Sequence, residues 1–313
     1  MFDFVGKRYW FFLLSALVIV PGIISLAVFG LKLGIDFKSG STMTLQFSTA
    51  VDETQLRATL SNLGFKDAIV QHTSAGDFIV SLASSDPSTS PSINETLLNG
   101  LNAQLNTTTT QTDLAGVSAS VAAATARGAV LAVIVAAVGI LLYISFAFRK
   151  MPNPLRWGTC AVIAMIHDVL VVVGIFSILG WVLGVEIDAL FITGMLTVVG
   201  YSVHDTIVVF DRIRENQSKG GGRTFENVVN SSILQTMTRS LNTSLTVLFV
   251  LFSLFVLGGP TIHYFILVLI VGVITGTYSS VCNASQLLIV WENKEWGRFV
   301  SWIPFLRKKN AQG

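Results

Sequence analysis

The stretch WGTCAVIAMIHDVLVVVGIFSILGWVL, residues 157–183, contains one Asp, one His and no Lys, Arg or Glu. A helix needs about 20 mainly apolar residues to cross the hydrocarbon core of a bilayer, and this stretch is longer than that. Five other stretches meet the same requirement: residues 10–31, 127–148, 187–210, 240–257 and 262–291. The chain as a whole is 52% hydrophobic and 12% charged, against about 25% charged residues in a soluble domain. Six membrane spans are therefore expected. A net charge of +2 without basic clusters on an aromatic-bearing face argues against a nucleic-acid partner. Only Cys160 and Cys282 are present, both in apolar runs, so no disulfide framework is expected. Lys7 and Arg8 before the first apolar run, with Ser25-Leu26-Ala27 near its end, resemble a secretory signal. The run continues past Ala27 and exceeds the usual length of a signal core, which favours a retained anchor.

Basic residues predict the topology. Lys7 and Arg8, then Arg149, Lys150 and Arg156, then Arg212, Arg214, Lys219 and Arg223, and finally Arg298, Arg307, Lys308 and Lys309 all fall on one side of a six-span arrangement. The connections around Gly184 and Gly258-Gly259-Pro260 carry no Lys or Arg. Both termini are thus expected in the cytoplasm. The division that follows is 1–31 for the N-terminus and first span, 32–123 for an extracytoplasmic domain, 124–291 for a five-helix bundle and 292–313 for a basic tail.

The long outer segment reads as α+β. Met43, Leu45 and Phe47 alternate with Thr42, Thr44 and Gln46 as in a strand, and Asp52 opens a helix through Leu56, Leu60 and Leu63. Short strands are expected at 68–71 and 78–82 around the turn Ser74-Ala75-Gly76-Asp77, with a loop over 84–91. A second helix through Leu97, Leu101 and Leu105 and a last strand over 114–121 complete a βαββαβ, ferredoxin-like order.

Charges inside a span are costly and mark functional candidates. Three stand out: Asp168, Asp205 and Arg239. Asp205 precedes Arg212 by seven residues, which places it roughly 10 Å deep. Gly222, within the glycine turn 220–222, lies seventeen residues from both Asp205 and Arg239. A hairpin folded there sets the two at similar depth, as an ion pair or as a proton-coupling pair in which Arg holds the Asp ionised until they separate. An ion pair that only fastens two helices adds little net stability over an apolar pair, which favours the second reading. His204 adjoins Asp205 in sequence but points about 100° away on a helix. Asp168 either supports a relay or binds a Ser or Thr of a neighbouring helix. The many Ser, Thr and Gly residues from Thr236 to Thr246 and from Gly272 to Ser280 read mainly as packing devices.

Gly200-Tyr201-Ser202-Val203-His204-Asp205-Thr206, running on to Asp211-Arg212-Ile213-Arg214-Glu215-Asn216, resembles the signature of the SecF family of protein-export subunits. Gly34-Ile35-Asp36-Phe37, His167-Asp168, Gln235-Thr236 with Arg239 ahead of Thr243-Ser244, and Gly276-Thr277-Tyr278-Ser279-Ser280 follow in that family's order. The resemblance implies kinship to RND efflux transporters and a bacterial inner-membrane location. It also implies work beside SecD, the SecYEG channel and YajC, drawing unfolded polypeptide outward with the proton gradient. It assigns proton coupling to Asp205 and Arg239 together with an Asp supplied by SecD; His204, Asp168 and Thr243 are the candidate supporting residues. His204 stands where the family usually has Asn, Ser39 where a second glycine is usual, and a Gly-Pro element is missing from residues 116–126.

Two other classes compete with this reading. A half-size RND-type efflux transporter fits the composition but supplies one six-span half of the two such proteins have. An aspartyl protease using Asp168 and Asp205 lacks the Tyr-Asp and Gly-x-Gly-Asp contexts, and Arg239 disfavours a shared proton. No enzyme activity, cofactor or metal is expected, and no nucleotide-binding loop is present in the sequence, since Gly220-Gly221-Gly222 lacks the following Lys-Ser/Thr of a phosphate loop.

Overall fold

A computed structural model describes residues 3–49, 51–66, 68–72, 76–83, 90–220 and 222–295. Among the described residues, six helices are long and apolar enough to cross a membrane. They are α1 (Arg8–Phe29), α5 (Ala119–Ala147), α6 (Pro154–Leu183), α7 (Ala189–Ser218), α8 (Phe225–Leu257) and a last span made of α9 (Pro260–Ser279), a π-helical turn (Ser280–Ala284) and α10 (Ser285–Glu292). Several begin outside their apolar windows. Ser118 caps α5 through Val121 N–H, so the helix starts eight residues ahead of Arg127, and the Gly-Pro element absent there is replaced by a hydroxyl cap. Thr224 caps α8 through Asn227, which turns Arg239 from an expected helix start into a mid-helix position. Among the described residues, α6, α7 and the last span bury 44–50% of their most apolar windows and form the middle of the bundle. α1, α5 and α8 bury 6–17% and present residues such as Leu17, Leu131 and Phe249 outward, as a lipid-facing surface does.

Between α1 and α5 lie α2 (Ile35–Lys38), β1 (Gly40–Phe47), α3 (Glu53–Asn62), β2 (Ile69–His72), β3 (Phe78–Ala83), α4 (Ser90–Leu105) and β4 (Thr109–Val117). The sheet order is β2-β3-β1-β4, with every pairing antiparallel. Met43 and Leu45 of β1 pack with Leu56, Leu60, Leu97 and Leu101 of the two helices, so the alternation in β1 sets which face of the sheet is covered. Asp52 caps α3 by accepting from Thr54 N–H. The last strand ends at Val117 rather than 121, because Ser118 already begins α5. The loop expected over 84–91 lies outside the described residues up to 89, and Ser90 and Pro91 belong to α4. Ser74, Ala75, Gly221 and the tail from 296 also lie outside them.

The sheet is fastened to the bundle near the 184–188 connection. Leu33 bridges Ile187 in parallel, Gly34 N–H donates to the Ile187 carbonyl at 2.9 Å, and Ala189 N–H donates to Asp36 Oδ2 at 2.8 Å. Ser81 of β3 donates to Glu186 Oε2 at 3.2 Å. Burial raises the Glu186 pKa against the lowering pull of Ser81, Lys32 and Lys38. The sign is that of an acid preferring its neutral form when docked. Its contribution to stability is complete below the ordinary carboxylate range and is lost as pH rises through its raised value. Glu186→Gln should therefore raise the thermal unfolding midpoint in detergent at neutral pH, with the gain shrinking in acid.

Ser39, just before β1, sits at φ 66° and ψ 158°. That region is nearly exclusive to glycine and costs a side chain roughly 1–3 kcal/mol. The residue found where the family usually has glycine is thus a strained one. Ser39→Gly should stabilise the protein by about 1 kcal/mol, read as a higher thermal midpoint; an unchanged or lower midpoint would show that the strain is relieved in solution.

Candidate functional site

Two carboxylates are enclosed in the bundle. Asp205 on α7 is 8% exposed and Asp168 on α6 is 0% exposed. Asp205 Oδ1 accepts from Ser240 Oγ of α8 at 2.6 Å, and Oδ2 accepts from Ser280 Oγ of the π turn at 2.5 Å. Asp168 Oδ2 accepts from Ser279 Oγ at 2.7 Å and from Ser202 Oγ, while Oδ1 lies 2.9 Å from His167 Nδ1. His167 Nε2 is 3.1 Å from Ser15 Oγ of α1, and Asn283 Nδ2 donates to that hydroxyl at 3.0 Å.

Local sequence explains how these groups meet. Ser202 stands three residues before Asp205, so one face of α7 offers a donor to Asp168 and a carboxylate to α8 and the π turn. Gly276 lets α9 approach that face, since a Cβ there would lie 3.0 Å from Ser202 Cβ. Consecutive helical residues diverge by about 100°, which directs Ser279 to α6 and Ser280 to α7. From Ser280 on the helix widens into the π turn, and Ser285 Oγ just past it donates to the Ser280 carbonyl at 2.8 Å. Such turns recur at functional sites.

The structure does not bring Arg239 to Asp205. Among the described residues no ion pair joins them, and Arg239 is exposed on α8. The reason is angular: Ser240 faces Asp205, so its sequence neighbour faces away. His204 is exposed. Thr243 is exposed too and donates to the Arg239 carbonyl at 3.0 Å, one turn back. The site thus gathers Asp168, Asp205 and hydroxyls, and leaves Arg239, His204 and Thr243 on the bundle surface. Ser202, Ser240, Ser279 and Ser280, read from sequence as packing residues or motif letters, prove to be carboxylate donors. Their placement beside the two carboxylates that lie well inside the apolar windows, Asp168 and Asp205, was the available signal.

An ionised carboxylate in an apolar interior needs donors, and hydroxyls supply them without fixing the charge as a bonded Lys or Arg would. A hydroxyl can also accept, so the same partners suit the protonated acid. Six spans around a pair of buried, hydroxyl-bound carboxylates define a multi-pass membrane transport protein. Residues 96–294 match the family model described as protein export membrane protein SecD/SecF, C-terminal, and residues 24–51 match the SecD/SecF GG motif. The chain belongs to the SecD/SecF family of protein-export membrane proteins. It is 47% identical over 305 residues to the protein translocase subunit SecF of Thermobaculum terrenum, covering 95% of this chain and 96% of that one. It is 35% identical to the protein translocase subunit SecDF of Bacillus subtilis over 94% of this chain and 38% of that one. The crystal structure of SecDF from Thermus thermophilus, a translocon-associated membrane protein, superposes with a TM-score of 0.81 at 33% identity over 93% of this chain. The chain spans about two fifths of the length of either SecDF protein, 38% and 39%.

Proposed function

We propose that this chain works as the SecF-type half of a SecD-containing complex in the bacterial inner membrane, using the proton gradient to draw polypeptide through SecYEG, with YajC as a further partner. The observation that carries this reading is Asp205, buried and held by two hydroxyls, with no cation bonded to it among the described residues. Arg239 is the second member of the proton-coupling pair. In the conformation described, serines hold the carboxylate while Arg239 faces outward, and a movement of α8 or a covering partner brings the guanidinium into play. Asp168, His204 and Thr243 support the pair from the interior and the surface.

The ferredoxin-like domain lies on the extracytoplasmic side and the termini lie in the cytoplasm. Basic-residue placement supports this orientation, and the start of the first span meets the end of the last one on one side of the bundle: Arg8 at the start of α1 pairs with Glu295 beyond α10 at 2.7 Å, and Arg156 at the start of α6 pairs with Glu292. In intact cells, Ser61→Cys in α3 should react with an impermeant thiol reagent, and Ser218→Cys at the end of α7 should stay protected. Both native cysteines are buried. The reverse pattern would invert the orientation. Purification in mild detergent tests the assignment itself: recovery of a SecD-like six-span partner supports it, and recovery of a homotrimer alone would favour a half-size efflux transporter.

A further inference from the structure

Ser279 and Ser280 each have two acceptors within reach. Ser280 Oγ is 2.5 Å from Asp205 Oδ2 and 3.0 Å from the Thr277 carbonyl, and Ser279 Oγ is 2.7 Å from Asp168 Oδ2 and 3.2 Å from the Gly276 carbonyl. A hydroxyl placed this way satisfies both protonation states of its carboxylate. When the acid is ionised, the hydroxyl donates to it. When a proton binds the carboxylate oxygen, the acid donates to the serine oxygen, and the serine hydrogen rotates to the carbonyl three residues back. Neither carboxylate nor serine is left unpaired in either state, which in a buried site spares the desolvation penalty that would otherwise oppose one of them.

We propose that Ser279 and Ser280 are paired hydroxyl switches that position Asp168 and Asp205, and that the His167–Asp168 pair is a second titratable centre of the proton-coupling site, tied to Asp205 through the shared turn. This rests on the proton-coupling reading of Asp205. Two observations support the tie. The switching residues are adjacent in the chain, so a rotation or shift of the π turn acts on both carboxylates together. α7 also reaches both acids, since its Ser202 donates to Asp168 of α6 and Asp205 follows one turn later on α7 itself. Other titratable groups near them are few. α6 contributes His167, α9 contributes Tyr278, whose ring centroid is 6.1 Å from that of His167, and the π turn contributes Cys282, buried. α1 brings the neutral Ser15 and α8 brings Ser240, while Arg239 and His204 are exposed. Among the described residues, no Lys or Arg is bonded to the network.

The test is the pH profile of gradient-stimulated export in vesicles carrying the full complex, normalised to assembled protein. Losing one donor to an ionised acid should move the profile upward by about one to two pH units. Ser280→Ala and Ser279→Ala should each show this shift, and Ser280→Thr and Ser279→Thr should restore the parent profile. Asp168→Asn should reduce stimulated export and abolish the additional shift caused by Ser279→Ala, because that serine acts through Asp168. Unchanged profiles in the alanine variants, or an Asp168→Asn variant with parental export, would overturn the proposal. So would alanine damage that appears only as lost assembly and is not reversed by threonine. Asp205→Asn run in parallel separates the two levels. If it loses stimulation while the Ser279 and Asp168 variants behave as the parent, this inference alone fails; if it keeps stimulation, the proton reading fails and takes the inference with it.

Discussion

Asp205→Asn should abolish the dependence of export on the proton gradient while leaving insertion, folding and assembly near normal. The change removes the titratable group with almost no change in volume. The amide oxygen still accepts from one of Ser240 and Ser280, which lie 2.6 and 2.5 Å from the carboxylate. The cost to stability is then that of replacing a charge-assisted hydrogen bond with a neutral one, on the order of 1 kcal/mol. Loss of gradient stimulation should be near complete. A carboxylate that only fastened α7 to α8 and the π turn would give a different pattern, with function lost in proportion to lost protein. The measurement is protonophore-sensitive export of a secreted reporter per assembled complex.

Arg239 gives the second large effect. It is exposed on α8 and makes no ion pair among the described residues, so Arg239→Ala should leave the folded chain about as stable as before. Export driven by the gradient should nevertheless fall severely. Arg239→Lys keeps the charge but loses the planar fork that grips a carboxylate through two parallel bonds, and should be impaired to a lesser degree. Thermal unfolding of the purified variants, set beside their export rates, checks both halves of this expectation. A parental rate for Arg239→Ala would remove the residue from the coupling site and leave Asp205 with its serines alone.

The spans could be found in the sequence because bilayer thickness imposes a length on apolar runs, and all six appear as helices. Their ends were less legible: Ser118 and Thr224 start α5 and α8 well before the apolar windows, since a cap depends on one hydroxyl and carries no hydropathy signal. The alternation in β1 and the Leu56, Leu60, Leu97 and Leu101 spacing gave the sheet its covered face. Short α2 and the 33–36 attachment to the 184–189 connection were not foreseen, because they depend on backbone bonds between segments far apart in the chain.

For the site, the cost of burying charge pointed to Asp168 and Asp205, and both are enclosed. What the spacing about Gly222 could not supply was rotation. Equal depth is compatible with any angle about the helix axis, and the one-residue step from Arg239 to Ser240 decides which side chain meets Asp205. The π turn was equally hidden. Nothing in Ser280-Val281-Cys282-Asn283-Ala284 distinguishes it from ordinary helix until α6 and α7 pack against it.

The most direct measurement is proton movement itself. The full complex, reconstituted in liposomes with an imposed pH gradient and a trapped pH-sensitive dye, should show proton entry that rises when a polypeptide is being translocated. With Asp205→Asn in an otherwise intact complex, that translocation-linked entry should vanish. Proton entry at the parental rate in the Asp205→Asn complex would contradict the account.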